Sequence, residues 1–336
     1  MRYRPLGKTG INVSEIGLGM WAIGGDRWGP VNDADSLAAL GRAYELGVNF
    51  FDTADIYGRG HSEEVLGKWL KTVPRDKVYV ATKTGLLPEH YTRYRRMRRS
   101  ITRLAATAGL PRRLTWMHTY LRPKHIIAYC EASLRRLQTD YIDVYQDHLW
   151  WDEHVDAFAE AFHRLQAAGK IRFFGISTND VAYVKHFAKV AGRIDTLQLD
   201  YSILNRTPQL AALPFCQDHH IGVIVRGPLA MGKLTGKFTP GTTFAEGDVR
   251  KPWTEGTGRI AFLKDLERVN QLAPLAQGRT LAQAALAFVL HHPAVSTTIP
   301  GAKNRRQVEE NAGAVLRPLT ARELAVINEV VGAGGQ

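Results

Sequence analysis

Short apolar runs alternate along the chain with longer segments whose apolar residues recur at helical spacing. Helical spacing is clear in Leu37, Leu40 and Tyr44 and again in Phe158, Phe162 and Leu165. Eight apolar runs are predicted strands: 15–18, 49–52, 78–82, 141–148, 171–176, 196–199, 223–225 and 296–299. Eight alternating strand and helix units predict an α/β fold, the (β/α)8 TIM barrel. No linker or change of composition divides the chain, so residues 1–336 are predicted to form a single domain.

The first thirty residues favour a hairpin followed by a loop. Turn residues at 7–10 separate two short apolar runs, which predicts an N-terminal β-hairpin at the bottom of the barrel. Residues 17–22 match the dinucleotide fingerprint GxGxxG/A. That fingerprint requires a helix to begin at once, so that the pyrophosphate meets its N-terminus. Residues 23–30 are typical of a loop, and a Rossmann fold is therefore rejected.

Three of the predicted strands end on titratable side chains. The second strand ends on Asp52, the third on Lys83 and the fourth on His148, and Tyr57 follows Asp52 by five residues. Strand-end Asp and Lys often form structural ion pairs, and a single His is usually a packed core residue. In a parallel barrel, however, all strand carboxyl ends open onto one face, so these four side chains are expected to converge there.

Together these four side chains match the needs of carbonyl reduction. Tyr57 can donate the proton, although a free tyrosine has a pKa of about 10. An adjacent Lys83 ammonium favours the phenolate and is expected to lower that pKa. Asp52 can serve as the counter-ion of the buried lysine. His148 can hydrogen-bond the substrate carbonyl and orient it.

In their order and strand-end contexts, Asp52, Tyr57, Lys83 and His148 resemble the catalytic tetrad of the aldo-keto reductases. Residues 15–21 are similar to the first barrel strand of that family, and the resemblance covers most of the chain. It implies NADPH-dependent reduction of an aldehyde or ketone to an alcohol, with NADP(H) preferred over NAD(H). Some members, such as the potassium-channel β-subunits, keep the fold and tetrad but serve as redox-sensing, partner-binding subunits, which is the alternative function.

The resemblance also implies a set of cofactor-binding residues. Ser177, Asn179, Gln198 and Arg226 would lie near the nicotinamide; Gly227, Pro228, Leu229, Gly232 and Lys233 over the pyrophosphate; and Gly301, Ala302, Lys303, Gln307, Glu310 and Asn311 at the adenosine end.

The chain departs from the usual family pattern at three of these places. The family often has Ser-Asn where this chain has Ser177-Thr178, so the asparagine comes one residue later, at Asn179. Arg226 stands where many members carry an aromatic that stacks on the nicotinamide, and a guanidinium plane can also stack. Gln307 replaces an arginine found in some members. Lys303, followed by Arg305 and Arg306, is therefore expected to meet the 2′-phosphate that selects NADP.

Composition and charge narrow the picture further. At 45% hydrophobic and 23% charged, the chain has the composition of a globular protein. No apolar run reaches the roughly 18 residues of a membrane span, and no signal peptide is evident, so a cytoplasmic location is expected. Cys130 and Cys216 are expected to be reduced core thiols. No Cys/His cluster has zinc spacing, and no metal is predicted. The sequence does not indicate an oligomeric state.

Two long connections follow predicted strands and would lie at the mouth of the barrel. Residues 86–124, after the third strand, are a basic insertion with ten Arg and Lys against one acid, Glu89, and carry +9 of the chain's net charge of +12. Residues 237–258, after the seventh strand, are predicted to fold over the open face. Trp21, Trp150 and Trp151 are expected to line the substrate pocket.

The basic insertion permits three interpretations. It can be a solvated charged helix, or it can draw an anionic carbonyl substrate or an acidic partner towards the mouth. Its interleaved aromatics (Tyr91, Tyr94, Trp116 and Tyr120) also suit single-stranded nucleic acid, although no defined nucleic-acid motif is present. A small-molecule carbonyl therefore remains the expected substrate, without a membrane or nucleic-acid partner.

Overall fold

The computed structural model of the chain describes residues 1–25, 27–29, 31–84, 121–148 and 154–332. Most of the basic insertion, residues 86–120, and the pair Trp150 and Trp151 lie outside these ranges. Their predicted roles are therefore not tested by the structure. Among the residues it describes, no helix is both long and apolar enough to cross a membrane.

Eight parallel strands form the barrel. Two further strands, β1 (Tyr3–Pro5) and β2 (Asn12–Ser14), pair as an antiparallel hairpin. The barrel strands are β3 (Leu18–Gly19), β4 (Phe50–Asp52), β5 (Tyr79–Thr84), β6 (Ile142–Asp147), β7 (Ile171–Ser177), β8 (Thr196–Asp200), β9 (Gly222–Arg226) and β10 (Val295–Thr298). They pair in chain order from β3 to β10. Parallel bridges from Ile16 to Thr298 and from Gly19 to Gly301 bring the first and last strands together.

Ten α-helices are described, and most of them follow a barrel strand. They are α1 (Asp33–Glu45), α2 (His61–Leu70), α3 (Pro123–Leu137), α4 (Val155–Ala167), α5 (Val181–Ala191), α6 (Ala212–Asp218), α7 (Gly256–Gln271), α8 (Leu281–His291), α9 (Arg305–Ala312) and α10 (Ala321–Val331). Several of them begin at a polar N-cap residue whose side chain accepts a backbone hydrogen bond. Asn32, for example, accepts a hydrogen bond from Ala34 N at 2.7 Å, as its type predicts.

The N-terminal hairpin closes the bottom of the barrel. Leu6, Ile11 and Val13 are buried together with inward-facing residues of the barrel strands: Phe50, Ala81, Val144 and Ile224. Arg4 fixes the hairpin to the end of the barrel through hydrogen bonds to the carbonyl oxygens of Leu290 and Val295. Because this end is sealed by apolar packing, the strand carboxyl ends at the opposite face remain for a site.

The predicted barrel and hairpin are confirmed, with local differences at element ends. The first strand was predicted at residues 15–18 and lies at Leu18–Gly19. Residues 22–24 form one short 3-10 turn, and no α-helix begins before Asp33 among the residues described there, so the Rossmann fold is correctly rejected. Cys130 and Cys216 are buried free thiols, and burial raises the pKa of each to about 12.

Candidate active site

Lys83 is the centre of the cluster at the carboxyl ends of the strands. Its Nζ donates to Asp52 Oδ2 at 2.7 Å, to the carbonyl oxygen of Thr53 at 2.7 Å and to the Tyr57 hydroxyl at 3.3 Å. The side chain is fully buried. Burial opposes its charge, but Asp52 and Tyr57 outweigh that effect and raise the pKa of Lys83. The lysine therefore stays an ammonium between a carboxylate and a phenol.

Tyr57 is held over this lysine by a tight turn. It opens a 3-10 segment, Tyr57–Gly60, in which Gly58 has a φ of 58°. A Cβ on Gly58 would lie 2.2 Å from the carbonyl oxygen of Gly24, so only glycine lets the turn pack against the loop after β3. Trp21 stacks on the Tyr57 ring at a centroid distance of 6.0 Å. The tyrosine is partly exposed, and Lys83 Nζ lies 5.0 Å from the centre of its ring.

The pKa of Tyr57 corrects one expectation from the sequence. Burial raises this pKa above 10, and Asp52 raises it further, while Lys83 and Arg226 lower it. The predicted lowering by Lys83 is present, but desolvation of the phenolate is the larger effect in the chain without cofactor. Tyr57 is therefore a protonated donor whose phenolate is stabilised by two nearby cations.

His148 completes the group of four. Its backbone N–H donates to the carbonyl oxygen of Thr84 at 3.0 Å, which extends the β5–β6 ladder by one residue. The imidazole meets the Tyr57 ring edge-on at a centroid distance of 6.4 Å. Burial, with Lys83 and Arg226 adding to it, holds the pKa of His148 well below 6.5. A neutral imidazole at this position can donate one hydrogen bond to a carbonyl oxygen.

The predicted nicotinamide residues form two hydrogen-bonded groups, one that includes Asp52 and one that includes Asp200. Gln198 Nε2 donates to Asp52 Oδ1 at 2.7 Å, and Ser177 Oγ donates to Gln198 Oε1 at 3.4 Å. The Asn179 side chain donates from Nδ2 to the carbonyl oxygen of Asp200 and accepts at Oδ1 from the Asp200 backbone N–H. Its Oδ1 also accepts from Arg226 Nη2 at 3.4 Å. Ser177, Asn179, Gln198 and Arg226 thus lie on or directly after the neighbouring strands β7, β8 and β9.

The segment after β9 turns sharply at the mouth. Gly227 has a φ of 66°, and a Cβ there would lie 2.1 Å from Asp200 Oδ1. Pro228 and Leu229 follow, and Gly232 has a φ of 98° within the 3-10 segment Ala230–Thr235. Lys233, predicted to lie over the pyrophosphate, forms an ion pair within this part of the chain. Its Nζ donates to Asp265 Oδ2 at 2.5 Å and lies 4.3 Å from the centre of the Trp253 ring.

The segment after β10 positions Lys303. Its backbone N–H donates to Gln307 Oε1 at 2.8 Å, and its Nζ donates to the carbonyl oxygen of Trp28. Asn311 Nδ2 donates to the carbonyl oxygen of Gly301 at 3.4 Å, which ties the turn at Gly301 and Ala302 to α9. Burial lowers the pKa of Lys237, and the nearby Glu310 carboxylate opposes that lowering. The residues predicted for the adenosine end are therefore neighbours.

Sequence reasoning missed three residues beside Lys303. Burial lowers the pKa of Lys303, and repulsion from Arg250 and Lys237 lowers it further. The Arg250 guanidinium covers the Trp28 ring at 4.8 Å, and Val249 N donates to the carbonyl oxygen of Arg27. Residues 249–250 of the 237–258 connection therefore touch the loop after β3. Lys237, Arg250 and Trp28 carried no strand-end signal, although Lys237 and Arg250 belong to the connection predicted to cover this face.

The fold and the cluster of Asp52, Tyr57, Lys83 and His148 are those of a barrel enzyme. The protein is a parallel (β/α)8 barrel with titratable side chains at the carboxyl ends of its strands, where barrel enzymes carry their active sites. A sequence model of the Aldo/keto reductase family matches residues 15–331, so the chain belongs to that family.

Individual relatives agree with this assignment. Aldo-keto reductase YhdN of Bacillus subtilis (strain 168) is 35% identical, over 92% of this chain and 87% of its own length. NADH-specific methylglyoxal reductase of Escherichia coli (strain K12) is 32% identical, over 98% of both chains. Among solved structures, a glycerol dehydrogenase from Gluconobacter oxydans superposes with a TM-score of 0.77 at 28% identity, covering 98% of this chain and 94% of that one.

Proposed function

We propose that the protein reduces an aldehyde or ketone to an alcohol with NADPH. Family membership supports oxidoreductase activity on carbonyl groups. The observation that carries the mechanism is the Lys83 ammonium, which bonds to Asp52 on one side and to the Tyr57 hydroxyl on the other. This arrangement puts a proton donor, and a cation that stabilises its conjugate base, beside the neutral imidazole of His148.

The chain's own residues would divide the work as follows. A bound dihydronicotinamide supplies the hydride. His148 donates a hydrogen bond to the carbonyl oxygen and orients the carbonyl carbon. Tyr57 gives its hydroxyl proton to the oxygen as negative charge develops there, and Lys83 stabilises the phenolate that remains. Asp52 keeps Lys83 charged, and Trp21 forms one wall next to Tyr57, where substrate would bind.

The residues around Lys303 fit the phosphate groups of a nicotinamide cofactor. Burial lowers the pKa of both Lys237 and Lys303, and repulsion from Arg250 lowers it further, although the Asp248 carboxylate paired with Arg250 opposes the effect at Lys303. An anion placed among them would relieve that repulsion. In addition, Trp28 Nε1 is buried without an acceptor among the described residues, so a donor is available at the same place. Lys303 is the residue proposed to select the 2′-phosphate of NADP.

Replacement of Lys303 tests this cofactor preference. Lys303→Met should weaken NADPH binding about tenfold and leave NADH binding nearly unchanged, because only NADPH carries the 2′-phosphate. Fluorescence titration of both cofactors measures the two Kd values. Lys264→Met, an exposed lysine on α7, is the matched control. Equal weakening of NADPH and NADH would remove Lys303 from the phosphate site and would agree with the NADH specificity of the Escherichia coli relative.

The pH dependence of reduction should show no contribution from His148. Because its pKa is held well below 6.5, the imidazole is already neutral throughout the neutral range. Tyr57, with its pKa raised above 10, is still protonated there. We expect kcat/KM for a neutral aldehyde to be level across neutral pH. An inflection near pH 6.5 that is lost in His148→Gln would contradict the neutral-imidazole role.

A further inference from the structure

Arg226 is a cation at the barrel mouth that forms no ion pair with any residue the structure describes. It is the last residue of β9 and is partly exposed. Its one hydrogen bond to a described side chain is the 3.4 Å contact from Nη2 to Asn179 Oδ1. Its register partner on β8, Asp200, instead accepts from Asn205 Nδ2 through Oδ2 at 2.8 Å. Among the described residues, Arg226 has no carboxylate oxygen within 4.0 Å.

The charge of Arg226 acts on Tyr57 and His148, the two side chains proposed to contact the substrate carbonyl. The guanidinium favours the phenolate of Tyr57 and disfavours protonation of His148. Lys83 acts on both groups in the same direction, but Asp52 balances its charge at 2.7 Å. No such ion pair balances Arg226 in the part of the chain that the structure describes. Lys83 and Arg226 are therefore the two cations that act on both Tyr57 and His148, and only Lys83 has a carboxylate in direct contact among the described residues.

We infer that Arg226 makes the site discriminate between the two redox states of the cofactor, binding the reduced form more tightly than the oxidised form. This inference rests on the proposed function. A nicotinamide ring that delivers hydride to a carbonyl between Tyr57 and His148 must lie in the same field. The ring is neutral in NADPH and becomes a cation when it loses hydride. Arg226 repels that cation and has no comparable effect on the neutral ring.

This discrimination has a defined consequence for the direction of turnover. The overall equilibrium between carbonyl and alcohol is unchanged, because an enzyme does not alter it. The oxidised cofactor is held less tightly, however, so it leaves faster after reduction and binds poorly for the reverse reaction. The charge of Arg226 thus suits an enzyme that works as a reductase.

The ratio of two dissociation constants isolates the effect. NADP+ and NADPH carry the same phosphates, so contacts with Lys303 or the pyrophosphate cancel in the ratio Kd(NADP+)/Kd(NADPH). Both constants are measured for the full chain by fluorescence titration, with NADP+ also measured in competition with NADPH. The variants are Arg226→Gln, which removes the charge, and Arg226→Lys, which keeps it. Arg322→Gln, an exposed arginine on α10, is the control.

Arg226→Gln should lower the ratio about five- to fiftyfold, the range expected for one partly screened charge near the ring. Arg226→Lys should retain most of the ratio, and Arg322→Gln should leave it unchanged. If Arg226→Gln weakens both cofactors equally, or neither, Arg226 does not sense the ring charge and the inference is wrong. If the unaltered chain binds neither cofactor, the proposed function fails together with the inference. If the original chain reduces carbonyls but Arg226→Gln leaves Kd(NADP+)/Kd(NADPH) unchanged, the inference is wrong and the proposed function stands.

Discussion

Tyr57→Phe should reduce carbonyl turnover by about 10²- to 10⁴-fold, the contribution typical of a positioned proton donor. Cofactor binding should remain within about twofold, because the ring that stacks on Trp21 keeps its size and only the hydroxyl is lost. Steady-state rates on a panel of aldehydes and ketones, together with a titration of NADPH, measure both effects.

Trp21→Phe is the companion variant for this prediction. It alters the same stacked pair but leaves the Tyr57 hydroxyl on Lys83. We expect it to change KM more than kcat, because it reshapes the wall without removing the proton. Tyr57→Phe with more than half of the original kcat would show that the proton comes from elsewhere.

Lys83→Met should abolish activity and also destabilise the fold. The variant leaves the nearly inaccessible Asp52 carboxylate without its cation and with only neutral hydrogen-bond donors nearby, such as Gln198 at 2.7 Å. Removing one partner of a buried ion pair costs about 3–5 kcal/mol of stability. Denaturant unfolding gives the free energy of unfolding, and steady-state kinetics gives the activity.

A double variant separates the two effects of losing Lys83. Lys83→Met/Asp52→Asn removes both charges, so most of the lost stability should return. Activity should stay absent, because no ammonium remains to stabilise the Tyr57 phenolate. If the double variant regained turnover as well as stability, Lys83 would have only a structural role. If Lys83→Met were as stable as the original chain, losing the Lys83–Asp52 ion pair would not cost the stability expected for it.

The sequence was sufficient for the barrel and for the candidate tetrad because both follow from local patterns. Asp52, Lys83 and His148 each interrupt or follow an apolar run, and the parallel barrel brings strand ends to one face without further information. The hairpin was equally local, with its turn at residues 7–10. Such features need only the periodicity of the chain and the topology that it implies.

Contacts between segments that are distant in the sequence could not be predicted from local patterns. The association of Lys303 with Arg250 and Trp28 depends on how the 237–258 connection crosses the mouth, and no local pattern specifies that path. The ion pair between Lys233 Nζ and Asp265 on α7, a helix that begins only at Gly256, was likewise not predictable from local sequence. The pKa of Tyr57 was misjudged because burial is a property of the packed site and opposes the neighbouring charge.

Three further hypotheses remain predictions. The regulatory-subunit alternative shares the same barrel and cluster, so carbonyl turnover is what distinguishes it from the proposed reductase. Nucleic-acid binding, and steering of an anionic substrate, depend on the basic insertion, of which only residues 121–124 are described. Salt-dependent retention on nucleic acid would test the first of these two uses.

The central claim is that hydride passes from NADPH to a carbonyl carbon at the Tyr57–Lys83 pair, and deuterium transfer tests it most directly. The chain is given NADPH deuterated on the transferring face of C4, or on each face in turn, with a panel of aldehydes and ketones. The alcohols are then analysed by mass spectrometry. One deuterium is expected on the carbinol carbon for each cofactor oxidised, and it should come from one face of the cofactor only. That labelled product should be lost in Tyr57→Phe. Cofactor oxidation without deuterium in an alcohol, or an equal yield of labelled alcohol from Tyr57→Phe, would contradict the claim.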